Sequence, residues 1–359
     1  MSTVTSAVTT CPALQDALNN YFVTCSRTRL GSPVLSFLNS PINRSGIQQI
    51  VNPSPNKKRT VQLVYDQPIW TTEVSTVASC DKICTAETER GDLYAEYTID
   101  CTDGLYVENL MKTSDWNESC RNNQEVLIAR LDRMVGALAD AVAEKTAQEL
   151  PPLVGAYSAD TALSGLTIDV DDFLVVATQI ASSTNIDPQA FQQIDLALMQ
   201  TGYCNGTFIS GGSQLYQYYR LMLAGCCADQ GIDALEMLNL YGKAVTWDRW
   251  VANEFGDDVS LVFQPGSVQL LTYNDTDPAI QNLGGLADLD MTYRNFFEAI
   301  ITDPVTGLRM DFTMKNDCGQ IHMVLKATTK AVGLPLDIYP AGHPLEGVTY
   351  LNGIQVTNS

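Results

Sequence analysis

The chain has 359 residues, a formal net charge of −20, 45% hydrophobic residues and only 17% charged ones. It is long enough for roughly two domains, and its acidity argues against a nucleic-acid-binding enzyme, because an acidic body repels phosphate backbones. No window reaches the roughly 18 consecutive apolar residues of a membrane span, and Met1-Ser2-Thr3-Val4 lacks the charged and apolar regions of a secretory signal. Synthesis in the cytoplasm and no membrane partner are therefore expected. A low charge content suits a subunit held inside a lattice, where Thr, Ser, Asn and small apolar residues replace solvated charge.

The charge is unevenly spread. Residues 1–60 hold Asp16 against Arg27, Arg29, Arg44, Lys57, Lys58 and Arg59, which puts these sixty residues at +5 and the rest of the chain at −25. The leader, 1–56, is rich in Thr, Ser, Asn and Pro and ends in Asn52-Pro53-Ser54-Pro55-Asn56. Only about 10–24, through Leu14, Leu18, Tyr21 and Phe22, is expected to form a helix. The rest reads as an arm that needs a partner surface.

Strands follow. Val61, Leu63 and Tyr65 alternate, and Trp70 to Val77 is rich in β-branched residues. After a polar segment, 79–92, Leu93, Ala95, Tyr97, Ile99 and Cys101 fall on one face, opposite Tyr94, Glu96, Thr98 and Asp100. Asp103-Gly104 signals a tight turn, and Leu105 and Val107 begin another strand. These strands predict a long two-stranded excursion with a polar tip near 79–92, a ribbon only marginally stable unless it lies on something else.

From about Arg121 to Leu150 the spacing of Leu127, Leu131, Met134, Leu138 and Ala141 predicts a helix of about 45 Å, capped by Asn117 or Ser119 and stopped by Pro151-Pro152. Further helices are expected at about 170–183, 188–200, 213–225 and 229–241, with Trp247 to Phe255 a short helix or irregular piece. Strands are expected at Thr207-Phe208-Ile209 and in a hairpin of Val259–Phe263 with Val268–Tyr273 around Pro265-Gly266. Residues 292–340 read as several strands with turns at Asp303-Pro304 and Asp317 to Gly319.

Chemistry-bearing motifs are sparse. Histidine occurs only at His322, in an apparent strand, and at His343 in a Gly-His-Pro loop. Neither sits in a recognisable nucleophile or metalloprotease setting. Of ten cysteines, Cys80-x3-Cys84 could join Cys101 or Cys120 in a four-thiolate metal site, but the second pair lacks knuckle spacing, so free thiols on a loop are the better reading. The alternative that Cys80 or Cys84 meets a neighbouring subunit stays open. Gly211-Gly212-Ser213 at a strand-to-helix junction could cradle an anion, although tight-turn glycines and a serine cap suffice. Asp169, Asp171 and Asp172, Asp275 and Asp277, and Asp288 and Asp290 fit no calcium loop and read as caps or loop charges. No catalytic, cofactor-binding or metal residue is assigned, and no cofactor is expected.

The order of elements resembles that of Hong Kong 97-type major capsid proteins of tailed bacteriophages. The stretches TFISGGSQLYQYYRLM (207–222) and VSLVFQPGSVQLLTYN (259–274) are similar to tailed-phage capsid sequences. The resemblance implies an α+β fold with an N-terminal arm (1–56) and an extended β-hairpin loop with flanking strands (57–112). A spine helix and peripheral domain (113–200) and an axial domain (201–290) would follow, with C-terminal strands (291–359) returning to the peripheral domain. It implies a structural subunit without enzymatic activity, assembling with copies of itself in hexamers and pentamers into the icosahedral shell of a virion. Scaffold, portal and decoration proteins are further partners, and packaged DNA would be held only weakly and non-specifically. No long scaffolding segment is expected before the arm, so the scaffold would be separate or absent. Relatives that crosslink pair Lys with Asn; Lys82 lies near the loop tip, but no acceptor matches, and that chemistry is not carried over. Two alternatives remain: another self-assembling shell or tail protein, such as a nanocompartment, and a cytosolic enzyme using a thiol or carboxylate.

Overall fold

Ser32 starts the first helix, α1 (Pro33–Leu38): its Oγ accepts a hydrogen bond from Leu35 N at 3.1 Å, and Pro33 occupies a position where no N–H is needed. The computed structural model describes residues 19, 31–51, 59–65, 93–112, 123–155, 167–168, 174–178, 207–217, 220, 244–274, 296–317, 320–334 and 351–358. Along them follow β1 (Ile47–Val51), β2 (Thr60–Tyr65), β3 (Leu93–Thr98), a 3-10 turn at Cys101–Asp103, β4 (Gly104–Lys112) and the long helix α2 (Asn123–Glu149). Next come β5 (Thr167–Ile168), β6 (Leu174–Thr178), β7 (Phe208–Gly211), β8 (Ala244–Trp247) and α3 (Arg249–Phe255). The remaining strands are β9 (Val259–Phe263), β10 (Val268–Tyr273), β11 (Phe296–Thr302), β12 (Arg309–Asp317), β13 (Gln320–Gly333) and β14 (Leu351–Asn358). Among the described residues the result is a mixed α+β chain dominated by sheet. Its described residues fall into two units, one within Met1–Ser40, Thr98–Glu149 and Leu270–Ala331, the other within Pro41–Tyr97, Leu150–Gln269 and Val332–Ser359.

In the first unit α2 packs on β4 and α1 on α2. The helix has 27 residues, or about 40 Å at 1.5 Å per residue. Leu127, Leu131, Met134 and Leu138 are buried as the spacing predicts, and the stripe then continues through Val142 rather than Ala141. The expected caps Asn117 and Ser119 lie outside the described residues. Beyond Leu150, Pro151–Leu153 form a 3-10 turn, as the proline pair requires. The sheet is antiparallel, with β13 paired to β12 on one side and to β4 on the other. Because strands alternate, one face carries Phe312, Met314, Met323, Leu325, Ala327 and Met111, all buried. The link from β11 to β12 turns where Asp303 accepts hydrogen bonds from Val305 N and Thr306 N and Gly307 takes φ 69°, matching the predicted Asp303-Pro304 turn.

The second unit holds a three-stranded sheet, β1-β2-β3, and a six-stranded sheet in the order β5-β6-β14-β9-β7-β8. Val61, Leu63 and Tyr65 are the buried face of β2. In the larger sheet β14 runs parallel to β6 and antiparallel to β9, and β7 parallel to β8. Asp248 caps α3, its Oδ1 accepting hydrogen bonds from Trp250 N at 2.9 Å and Val251 N at 3.3 Å.

Several expectations are corrected. Residues 31–51, read as part of an arm, form α1 and β1, with Val34, Leu35 and Leu38 buried. The helix expected at 170–183 is replaced by β6, whose Leu-Val-Val-Ala-Thr run pairs with β14. β14, beyond the strands expected at 292–340, lies between β6 and β9 in the six-stranded sheet. β8 was not anticipated. The hairpin of β9 with β10 does not form: β9 has β14 and β7 on its two sides, so its pairing is full, and β10 joins β13 instead. The helices expected at 10–24 (apart from helical Asn19), 188–200 and 229–241 lie outside the described residues, as does the Trp70–Val77 strand.

The corner between β9 and β10 is built around Asn43, which is fully buried. Its Oδ1 accepts from Gly266 N at 3.0 Å, its Nδ2 donates to Val268 O at 2.9 Å, and its own carbonyl accepts from Gln269 Nε2 at 2.9 Å. Gly266 holds φ 87°, a region open to glycine. Asn43→Ala strips two buried backbone groups of their partners and is expected to cost about 2–4 kcal/mol, measured by urea unfolding. A loss below about 1 kcal/mol would show that the corner holds without it.

Candidate functional site

The chemistry-bearing candidates are not brought together. His322 lies on β13 with its Nε2 3.5 Å from Glu108 Oε2, the histidine partly and the glutamate largely in solvent. His343, Cys80, Lys82, Cys84, Cys120 and all seven candidate aspartates lie outside the described residues, and of Cys101 only the backbone is described. Among the described residues no three His, Cys, Asp or Glu side chains are placed to hold a metal ion. At Gly211-Gly212 the backbone is spent internally: Gly212 N donates to Val259 O at 2.7 Å and Gln214 N to Asp257 O at 3.2 Å. A Cβ on Gly212 would lie 2.1 Å from Asp257 O, so close backbone approach explains this glycine without a bound anion.

What the fold does present is exposed sheet. Along β4 the side chains alternate. Tyr106, Glu108, Leu110 and Lys112 are exposed, with Tyr106 at 70% and Leu110 at 52%, while Met111 on the other face is buried. Register extends that outer face across the sheet. Leu110 stands opposite His322 and then Lys315; Glu108 opposite Val324, Thr313 and Glu298; Tyr106 opposite Lys326 and then Asp311, which is buried. The face mixes two large apolar side chains with charges of both signs, in a chain whose acids outnumber its bases 41 to 21. A surface near electrical balance is where a second acidic copy can approach with the least repulsion.

In the second unit the corresponding feature is the root of the predicted excursion. β2 and β3 are neighbours in one sheet, so the segment 66–92 leaves and returns through adjacent strands. Tyr94 on β3 is 66% exposed, with Glu96 and Thr98 on the same face. β3 does not continue into a hairpin with β4. The 3-10 turn at Cys101–Asp103, closed by Asp103 N donating to Asp100 O at 3.1 Å, sends β4 to pair with β13. At the base of β3, Tyr97 donates its hydroxyl to Gly333 O at 3.2 Å. The six-stranded sheet ends at β8, where Trp247 is exposed and the Arg249 guanidinium lies 4.2 Å over the Trp250 ring.

Sequence reading found the alternation of β3 and the start of β4, but not which face of β4 is outward. Both parities carry large apolar residues, Leu105, Val107 and Met111 against Tyr106 and Leu110. The signal that could have hinted at it is Glu108 and Lys112 sharing parity with Tyr106 and Leu110.

No family model matches the chain, and no curated protein matches it. Solved structures similar to it include one from Mycobacterium phage Adephagia, at 12% identity over 94% of each chain with a TM-score of 0.46. The capsid of Ralstonia phage GP4 matches at 10% identity over 92% of each chain with a TM-score of 0.42. That of Cyanophage P-SCSP1u matches at 12% identity over 84% of this chain and 85% of the other, with a TM-score of 0.40.

Burial, and the nearby Tyr65, raise the Tyr97 phenol above its ordinary value of 10.0. The folded chain therefore keeps the phenol neutral to higher pH than the unfolded chain. Its contribution is full below the unfolded pKa and is lost as pH rises through the raised one. The stability difference between wild type and Tyr97→Phe, from urea unfolding at stepped alkaline pH, is expected to fall as pH climbs past 10; a pH-independent difference would show a solvated phenol.

Proposed function

We propose that the chain is a major capsid protein of a tailed bacteriophage, a structural subunit that self-assembles into an icosahedral head shell enclosing the genome. The observation that carries this reading is the succession, in chain order, of a β2–β3 ribbon around the 66–92 segment, the strand β4, and the 27-residue helix α2 packed against it. It is the order of loop, strand and spine helix that the sequence resemblance implies. On this reading the first unit corresponds to the peripheral domain and the six-stranded sheet to the axial domain, with residues 31–51 belonging to the body and the arm shortened accordingly.

Assembly would use contacts between copies. The segment 66–92 holds Asp66, Glu73, Asp81, Glu87, Glu89 and Asp92 against Lys82 and Arg90. An acidic excursion of this kind cannot settle on an equally acidic surface, whereas the mixed face of β4, β13 and β12 offers Tyr106 and Leu110 beside Lys112, Lys315 and Lys326. Each contact adds apolar burial at about 25 cal/mol per Å², and closed symmetry repeats it over the shell. Hexamers and pentamers of this chain are the primary partners; scaffold, portal and decoration proteins complete the set, and packaged DNA is held weakly and without sequence preference. The role is structural, with no catalytic residue or cofactor assigned, in a virion built in the host cytoplasm.

Sizing chromatography followed by negative-stain microscopy tests the reading. Closed hollow particles, or rings of five and six, are expected; a monomer or dimer at every salt concentration would sink it. The double variant Tyr106→Thr, Leu110→Thr places β-branched residues, which suit a strand, at two exposed positions, so unfolding free energy is expected to stay within about 0.5 kcal/mol while closed particles are lost.

A further inference from the structure

Asn352-Gly353 is one of two Asn-Gly steps in the chain, the other being Asn205-Gly206. An asparagine before glycine is chemically unstable in a free chain. The glycine main-chain nitrogen, crowded by no side chain of its own, attacks the asparagine side-chain carbon and expels ammonia. In this fold the step lies inside β14. Asn352 has no solvent exposure, and Leu351, Gly353 and Ile354 around it are buried as well. β14 pairs antiparallel with β9 through Leu351–Gln355 and parallel with β6 through Ile354–Asn358. Residues 352 and 353 therefore sit within the first ladder, just before the second begins.

Strand pairing and this reaction exclude each other. Ring closure needs the main chain at 352 to turn back on its own side chain, whereas a paired strand holds it extended. The ring then opens with water at one of two bonds, and neither product fits the sheet. The first is aspartate, which sets a carboxylate at a position without solvent. Asn352 stands opposite Val262 on β9, and its same-face neighbours Ser260, Gln264 and Ile354 carry no positive charge. A buried carboxylate without a partner is among the costliest groups to hold in a core. The second product is isoaspartate, which routes the main chain through the former side-chain carbon and adds one backbone atom after residue 352. Leu351 and Asn352 can then keep their partners on β9, or Ile354 onward can keep theirs on β9 and β6, but not both.

We propose that Asn352-Gly353 is a self-modification site that retires unclosed chains: a chain whose β14 stays unpaired converts to a form that cannot complete the six-stranded sheet. The step balances without an oxidant or cofactor. The Gly353 nitrogen gives up its proton and bonds to Asn352 Cγ while the Cγ–Nδ2 bond breaks, and Nδ2 leaves as ammonia with that proton. Solvent water then adds across one of the two imide C–N bonds, leaving a carboxylate where the chain had a carboxamide. Closing of β14 protects the site, and modification of the site prevents closing. The inference concerns one sheet of the subunit and stands apart from the shell reading above.

The test has three arms. The whole chain is incubated in mildly alkaline buffer, folded and in urea, and its peptides are mapped by mass. In urea Asn352 is expected to deamidate at a rate comparable to Asn205, and in the folded chain about a hundredfold more slowly or less. Equal rates at Asn352 in both conditions, or no reaction in urea, overturn the proposal. The urea-aged chain is then returned to buffer, and its folded and unfolded fractions are mapped separately. Modified residue 352 is expected in the unfolded fraction and absent from the folded one, with Asn205 read in the same fractions to correct for ageing elsewhere. Modified residue 352 shared evenly between the fractions counts against the idea. Asn352→Asp, made directly, needs neither ageing nor refolding: the amides of β14, β9 and β6 are expected to lose protection from hydrogen exchange. Wild-type protection in that variant would show that the sheet accepts the product, and the site would then retire nothing.

Discussion

Every strand of the first unit is referred to β13. Of its fourteen residues, Gln320–Lys326 pair with β12 on one side and Gln320–Thr328 with β4 on the other, with β10 also joined to it. Alternation along it then sorts Met323, Leu325 and Ala327 to the covered face and His322, Val324 and Lys326 to the outer one. Because the strand period is two, a slip of one residue would turn the whole apolar row outward. Register, rather than any single contact, is therefore what lets α2 find a continuous surface to pack on and what gives the outer face its alternation of apolar and charged side chains.

That outer face and the composition of the chain share one cause. A subunit with few charges and a large net negative charge gains little from ion pairs with copies of itself and is repelled by them at distance. Association of copies, as proposed above, would rest on burying apolar area at places where charge is locally balanced. Tyr106 and Leu110 amid Lys112, Lys315, Lys326, Glu108 and Glu298 make such a place.

Elements held by local pattern were legible in the sequence: the alternation of β2 and β3, the apolar stripe of α2, the Asp303 turn, and the strands of 292–340. Those decided by distant pairing were not. Leu174–Thr178 is a short unbroken apolar run, which periodicity cannot assign to helix or strand, and its partner β14 lies far along the chain. Pro265-Gly266 is a genuine turn, but a turn does not say that its flanking strands pair; here full occupancy on both sides of β9 decided otherwise. Asn43 looked like one polar residue among many in a Ser- and Asn-rich leader, since only the fold brings it to Gly266 and Val268. The outward face of β4 was hidden because both its parities carry large apolar residues.

The position of β14 bears on the chain as it is being made. It lies between β6 and β9, yet it is translated after both. Until residues 351–358 emerge, the growing chain carries two half-sheets, β5–β6 and β9–β7–β8, each with a raw edge of unpaired backbone groups facing the gap. Such edges invite pairing with other nascent chains on the same messenger. The six-stranded sheet therefore stays in two parts until β14 is made, and the closing of one central strand pairs both raw edges at once.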